Sequence, residues 1–334
     1  MKHSNIAIFV PHAGCPYQCA FCDQHAITAQ QTLPGAEDVQ RACEQAVQDI
    51  ADLSATEIAF FGGSFTAIPR DYMLELLKAA QPYTGAEKCR GIRISTRPDC
   101  IDTEVLSVLK SYGVIAIELG AQSMSDSVLA ANGRGHTSAD VEHAARLIRE
   151  EGFELGLQMM VGLYQSTMAD ETETVRRIIV LRPDTVRIYP TVVLKGTELA
   201  WRYAMGAYHL FSFEQVVDFC AGAMTQFAEN GIRVIKCGLH ASVDVERDMV
   251  AGFYHPAFRE LCESKQYRHM METQIQGAGN YTFAVHPSCV SKAVGHKKMN
   301  VLYFQEKGVF VKCIADRMVK QNRCILLDSR CTDI

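Results

Sequence analysis

Through the first 240 residues, short and nearly unbroken apolar runs alternate with longer stretches whose apolar side chains return every three or four positions. The runs at 6–10, 57–61, 91–95, 115–119, 154–161 and 186–189 predict buried strands. The stretches at 36–53, 70–80, 103–111, 138–151 and 170–181 predict amphipathic helices between them. Thr103 and Ser138 stand where N-caps belong. Gly113 and Gly152 stand where a helix gives way to a left-handed residue, and Pro183 closes the fifth helix. Apolar strands alternating with helices imply a parallel sheet with crossover connections. About six such units make either a doubly wound sheet or a partial (β/α)6 TIM-like barrel, and both gather chemistry at the carboxyl ends of the strands.

Past Leu239-His240 the alternation stops, which divides the chain into a barrel domain, 1–240, and a small α+β domain, 241–334. In the second part the pattern predicts a helix over 256–272, a break at Gly277-Ala278-Gly279-Asn280, a helix about 292–307 and a strand over 309–314. No internal repeat and no low-complexity tract interrupts either part.

The chain has 334 residues, 48% hydrophobic and 21% charged, which excludes disorder as its class. Its apolar runs fall far short of the ~20 residues of a membrane span. The leading run at 6–10 is too short for the core of a signal peptide. A soluble, cytoplasmic protein is expected. The net charge of −5 is unevenly placed: residues 284–330 hold nine basic and three acidic side chains, and the rest of the chain 24 and 35. A basic segment on an acidic chain suits either an anionic partner or a solvated face.

Ten of the thirteen cysteines are scattered singly and read as small buried hydrophobes. The other three lie in Gly14-Cys15-Pro16-Tyr17-Gln18-Cys19-Ala20-Phe21-Cys22, directly after the first strand. Thiolates at that spacing converge from one loop and select zinc, Cu(I) or an iron–sulfur cluster. Structural zinc wants a fourth ligand, which His12 or His25 could supply. A cluster held by three cysteines keeps one iron open for a ligand.

This loop, with its aromatic before the last cysteine, resembles the signature of radical S-adenosylmethionine (SAM) enzymes. Further segments follow at the strand ends: Phe61-Gly62-Gly63-Ser64-Phe65, Thr96-Arg97-Pro98-Asp99, Glu118-Leu119-Gly120-Ala121-Gln122-Ser123, Met160-Val161-Gly162-Leu163 and Arg187-Ile188-Tyr189-Pro190-Thr191. With Lys195-Gly196-Thr197-Glu198-Leu199 and the segment from Gly252 to Glu260, they resemble the radical SAM region of the Elongator catalytic subunit, a tRNA-modifying protein. The chain is expected to lack that subunit's acetyltransferase domain, and its cysteine loop is spaced more like the generic radical SAM form.

The resemblance implies a 4Fe-4S cluster on Cys15, Cys19 and Cys22, and reductive cleavage of SAM to a 5′-deoxyadenosyl radical with flavodoxin or ferredoxin as electron donor. It further implies that Gly62 and Gly63, with Ser64 beside them, let backbone approach the methionine moiety. Glu118, supported by Gln122, would accept hydrogen bonds from the ribose. Met160, Gly162 and Phe21 would line the adenine, and Arg97 and Arg187 would bind carboxylate or phosphate. Each position also has a plain structural role: a strand bend, a core contact, or, for Glu118 and the arginines, a buried ion pair.

A second resemblance lies within the basic segment. Residues 290–304, with Lys292 and the loop Gly295-His296-Lys297-Lys298, resemble the helix–loop–helix of a KH domain, whose GXXG loop clamps nucleic-acid backbone. The second glycine is missing here, and the unit would occupy about 284–330. These features predict a radical SAM enzyme that modifies RNA, tRNA in the first place. The alternatives are a radical SAM enzyme acting on a small molecule, as in the porphyrin pathway, and a non-catalytic iron–sulfur protein that binds RNA.

Overall fold

The structure, a computed structural model, describes residues 4–10, 15, 18–22, 32–50, 52–240 and 242–331. They form two compact units, residues 4–210 with 230–236 and 240–253, and residues 211–229 with 237–239 and 254–331.

In the first unit the strands are β1 (Ser4–Val10), β2 (Thr56–Gly62), β3 (Gly91–Thr96), β4 (Val114–Gln122), β5 (Glu154–Val161) and β6 (Thr185–Pro190). An antiparallel pair, β7 (Val192–Leu194) and β9 (Met249–Gly252), lies outside the main sheet, and β8 (Arg233–Cys237) closes the main sheet's far edge. The main sheet runs β1-β2-β3-β4-β5-β6-β8, with parallel pairing from β1 through β6. A doubly wound sheet reverses its strand order at a switch point. This order never reverses, so the fold is a partial TIM-like barrel, open between β1 and β8.

The helices fall between the strands as the sequence periodicity implies: α1 (Ala36–Asp49), α2 (Arg70–Ala80), α3 (Thr103–Ser111), α4 (Asp126–Ala131), α5 (Ser138–Glu150) and α6 (Met168–Leu181). Two caps sit one residue earlier than expected. Asp102, not Thr103, accepts from the Val105 N–H, and Thr137, not Ser138, accepts from the Asp140 N–H in a capping box. The first helix stops at Asp49 rather than 53, because Ile50 is already extended and the Asp52 carboxylate starts a separate short turn by accepting from the Ser54 N–H. Gly113 and Gly152 take left-handed φ values of 81° and 82° just past α3 and α5. Arg182, also left-handed, ends α6 before Pro183.

The remaining helices are α7 (Glu198–Ala204), α8 (Phe213–Glu229), α9 (Val243–Asp248), α10 (Phe258–Glu272), α11 (Val290–Val294) and α12 (Met299–Gln305). In the second unit β10 (Gly279–Val285) is the centre of a three-stranded sheet, parallel to β11 (Val309–Ala315) and antiparallel to β12 (Cys324–Cys331). Its core is Tyr267, Met271, Tyr281, Phe283, Val285 and Phe304. The single helix expected over 292–307 is broken in two. Gly295 has φ 86° and no room for a Cβ, which would lie 2.8 Å from the Asn300 nitrogen. Among the described residues no helix is long and apolar enough to cross a membrane.

Candidate functional site

The three motif cysteines leave the carboxyl end of β1, and the positions of Gly14, Pro16 and Tyr17 lie outside the described residues, as do His12 and His25. Residues 18–22 are held by backbone. The Ala20 N–H donates to the Asn132 carbonyl at 3.1 Å, the Ala20 carbonyl accepts from the Leu199 N–H at 2.8 Å, and the Cys22 N–H donates to the Cys19 carbonyl at 3.0 Å. Asn132 is itself fixed: its amide donates to the carbonyls of Val128 and Tyr164. Gly133 follows with φ 64°, and a Cβ there would lie 3.4 Å from the Gln18 carbonyl oxygen.

Arg134 continues that turn into the site. It is buried, donates from Nη1 to the Cys19 sulfur at 3.2 Å and from Nη2 to the Gly120 carbonyl at 2.7 Å. Its Nε is buried without a hydrogen-bond partner. Arg97, at the end of β3, is bidentate to Asp99 at 2.9 Å and donates to the Arg134 carbonyl. Burial works against the Arg97 charge, yet Asp99 and the neighbouring sulfurs of Cys19 and Cys100 raise its pKa. Cys100 in turn feels Cys15. Cys19 therefore lies beside two buried guanidinium groups, with Cys15 near Cys100. No group of three His, Cys, Asp or Glu side chains among the described residues is gathered as a ready-made metal site. The donors nonetheless fit a thiolate-bound cluster: they are soft, uncapped by disulfides, and faced by cations that offset anionic charge.

Gly62 ends β2 with φ 111°, and a Cβ there would lie 3.0 Å from the Val10 carbonyl oxygen, whose partner is the Gly63 N–H. Only glycine allows that approach to β1 just before the cysteine loop. Ser64 is buried beyond it. Phe21 and Met160 share one apolar cluster with Val128, Leu163 and Tyr189. Gly162, at φ 81°, faces the Phe253 ring so closely that a Cβ would lie 2.6 Å from it. Its N–H donates to Glu171 at 2.7 Å and its carbonyl accepts from the Tyr208 hydroxyl. Gln122 is left-handed (φ 64°) at the end of β4 and accepts from Gln158 at 3.2 Å.

Glu118 lies deeper along its strand than the apolar run suggests. β4 continues four residues past it to Gln122, so its carboxylate lies inside the sheet rather than at a strand end. Arg187 grips it in a bidentate pair at 2.7 and 2.9 Å, Arg93 donates at 3.3 Å and Ser95 at 3.4 Å. Four donors match in number the hydrogen bonds a carboxylate can accept. Glu118 and Arg187 thus belong to an interior ion network with Arg93, Glu57 and Glu154. Burial opposes the Arg93 charge, but its three carboxylate partners hold its pKa above the ordinary value. Both residues thus make the ion pair that their sequence context allows.

Sequence reading passed over Arg134, Glu171 and Tyr208. The glycine-punctuated run Asn132-Gly133-Arg134-Gly135-His136 after α4 was the available signal for the first. The other two carry no local motif and reach the site only through the fold. In the second unit, Lys292 is half-buried and paired with Glu263 at 2.9 Å. Lys297 and Lys298 are exposed on consecutive left-handed residues (φ 49° and 64°), and His296 meets His255 edge-on at 5.6 Å.

A radical SAM superfamily profile matches residues 9–178, just over half of the chain, and a Radical_SAM C-terminal domain profile matches 183–268. The tRNA uridine(34) acetyltransferase of Dehalococcoides mccartyi is 27% identical over 237 residues, covering 61% of this chain and 52% of that protein. Elongator complex protein 3 of Saccharomyces cerevisiae is 29% identical over 206 residues, covering 55% of this chain and 37% of that protein. The chain therefore spans about half, or less, of the length of these relatives. Among solved structures, Methanocaldococcus infernus Elp3 with an N-terminal deletion (1–46) aligns with a TM-score of 0.64 at 19% identity, covering 82% of this chain and 63% of that one. At that identity the likeness shows the fold. With a cysteine loop after β1, a partial barrel behind it and a profile match across most of that barrel, the chain is an enzyme of the radical SAM superfamily.

Proposed function

We propose that this enzyme binds a 4Fe-4S cluster on Cys15, Cys19 and Cys22, binds SAM beside it, and modifies RNA, with tRNA as the substrate class. The carrying observation is the pairing of the three-cysteine loop with the buried guanidinium groups of Arg134 and Arg97. When bound, the cluster and SAM supply one-electron chemistry able to remove hydrogen from an unactivated carbon, beyond the reach of side-chain acids and bases.

The chain's own residues do the rest. Arg134 places a positive charge against Cys19 and ties it to β4 through the Gly120 carbonyl. Arg97 braces Arg134 from behind and is itself oriented by Asp99. Gly62 and Gly63 offer a backbone surface at the mouth, with Ser64 beneath. Phe21 and Met160 provide an apolar wall that suits a planar base and excludes water. Gly162 contributes surface only, since its N–H is committed to Glu171. Glu118 and Arg187 hold strands β4 and β6 together below the mouth. An external one-electron reductant, a flavodoxin or ferredoxin, is required.

The RNA assignment is supported by relatives named for tRNA uridine acetylation and for Elongator, and by the exposed Lys297-Lys298 loop in a basic segment. The test is nucleoside mass spectrometry of tRNA from cells with and without the gene, repeated with the purified enzyme, SAM and reductant on the unmodified tRNA. A nucleoside lost in the deletion strain and regained in vitro supports the proposal. Identical nucleoside profiles overturn the RNA substrate.

A further inference from the structure

Besides the motif cysteines, three others from three different elements meet inside the second unit. Cys220 lies on α8, Cys237 at the end of β8 and Cys262 on α10, and all three are buried. The Cys237 and Cys262 sulfurs are 4.0 Å apart, and Cys220 is a hydrogen-bonding neighbour of both. The close approach is built by backbone. Gly238, at φ 85°, passes so near Phe258 that a Cβ would lie 2.7 Å from the Phe258 Cβ. Cys262 is one helical turn beyond Phe258 on the same face, so the glycine that seats the chain on Phe258 also delivers Cys237 to Cys262. Cavity filling needs no such convergence of sulfur.

We propose that Cys237 and Cys262 are an oxidisable dithiol, with Cys220 as the third thiol that hydrogen-bonds the pair. A disulfide needs its sulfurs at about 2.05 Å, and turning the two side chains toward each other closes the 4.0 Å gap. Cys237 is the attacking sulfur. Hydrogen bonding with Cys220 and Cys262, helped by the Arg259 charge, pushes its thiol below the ordinary range, although burial opposes this. Cys43 and Cys89, also buried and mutually close, are an internal contrast: burial pushes the Cys43 thiol up to about 12.

The co-reactant is a small-molecule disulfide, RSSR. The Cys237 thiolate attacks one sulfur of RSSR, forming a Cys237–SR mixed disulfide and expelling RS⁻, which takes up a proton. The Cys262 thiol then loses its proton and attacks the Cys237 sulfur, forming the Cys237–Cys262 bond and expelling the second RS⁻. Two protein thiols are oxidised and one RSSR is reduced to two RSH.

The test uses the anaerobically purified, iron-loaded protein, titrated with oxidised glutathione, then alkylated, digested with trypsin and mapped by mass spectrometry. Cleavage after Lys236, Arg247, Arg259 and Lys265 places Cys237 and Cys262 on peptides 237–247 and 260–265. The expected result is these two peptides joined, two hydrogens lighter, before Cys43 or Cys89 reacts, and separated again by dithiothreitol. In Cys262→Ser the expected product is a glutathione adduct on Cys237 or a Cys220–Cys237 bond. If both peptides stay fully alkylated while other cysteines oxidise, the proposal falls. It falls equally if the purified protein holds stoichiometric zinc or copper that Cys220→Ala releases, since a resident metal would then explain the three sulfurs.

Discussion

Glu118 decides how much of the barrel interior serves ligands and how much serves the fold. Its carboxylate answers Arg187 and Arg93 together, with side chains 4%, 15% and 1% exposed. Removing one member of a buried ion network strands the others without compensation, at a cost of about 3–5 kcal/mol. Glu118→Ala is therefore expected to lower unfolding stability by that amount in urea titrations while Arg134 and the cysteine turn keep their contacts. A variant of wild-type stability with weakened SAM binding would return Glu118 to the cofactor site.

Glu171 gives a pH-dependent counterpart. Burial raises its pKa from 4.5 to about 7, against the hydrogen bonds donated by the Gly162 N–H and the Ser166 hydroxyl. The folded protein thus keeps a proton that the unfolded chain has released. This contribution is full below about pH 4.5 and is lost as pH rises through 7, about 3 kcal/mol in all. Glu171→Gln keeps an acceptor oxygen and cannot ionise. Its stability relative to wild type is expected to rise between pH 5.5 and 8 in paired urea titrations. Parallel pH profiles for the two proteins would contradict this account.

Among the elements, the strands were legible because parallel strands buried on both faces read as solid apolar runs, and β2 and β5 match the expected bounds to within a residue. β8 was not. It has five residues, Arg-Val-Ile-Lys-Cys, four of them partly or fully exposed, and sits at the edge of the sheet. The cysteine turn and the Gly62-Gly63 pair were legible as motifs. Arg134 was hidden because an arginine in a loop acquires meaning only when the fold sets it against Cys19. The depth of Glu118 was hidden by length: the apolar run ends at Leu119, but the strand runs on to Gln122.

The loop between α11 and α12 carries the prediction for RNA. Lys297 and Lys298 hold left-handed backbone that non-glycine residues enter rarely, which presents both side chains outward. Each phosphate contact on single-stranded nucleic acid contributes about −0.7 to the slope of log affinity against log salt. Changing both lysines to Ala is expected to shallow that slope for tRNA by roughly one to one and a half units. Lys292 is expected to contribute less, because Glu263 already pairs with it. Unchanged affinity and slope in the double variant would make the basic segment a solvated surface.

At the scale of the whole molecule, a partial barrel presents a soft-donor loop, two buried guanidinium groups and an apolar wall at the carboxyl ends of its strands. The proposed function requires this mouth to bind a redox cluster and turn over SAM. Its most direct test is the yield of 5′-deoxyadenosine when anaerobically reconstituted protein is reduced with dithionite and given SAM. The expected result is about four irons per chain and steady production of 5′-deoxyadenosine, with both lost in Cys15→Ala, Cys19→Ala or Cys22→Ala and kept in Cys237→Ala. Iron-loaded, reduced protein that leaves SAM intact, or a Cys19→Ala variant that retains iron and activity, would overturn the proposed function.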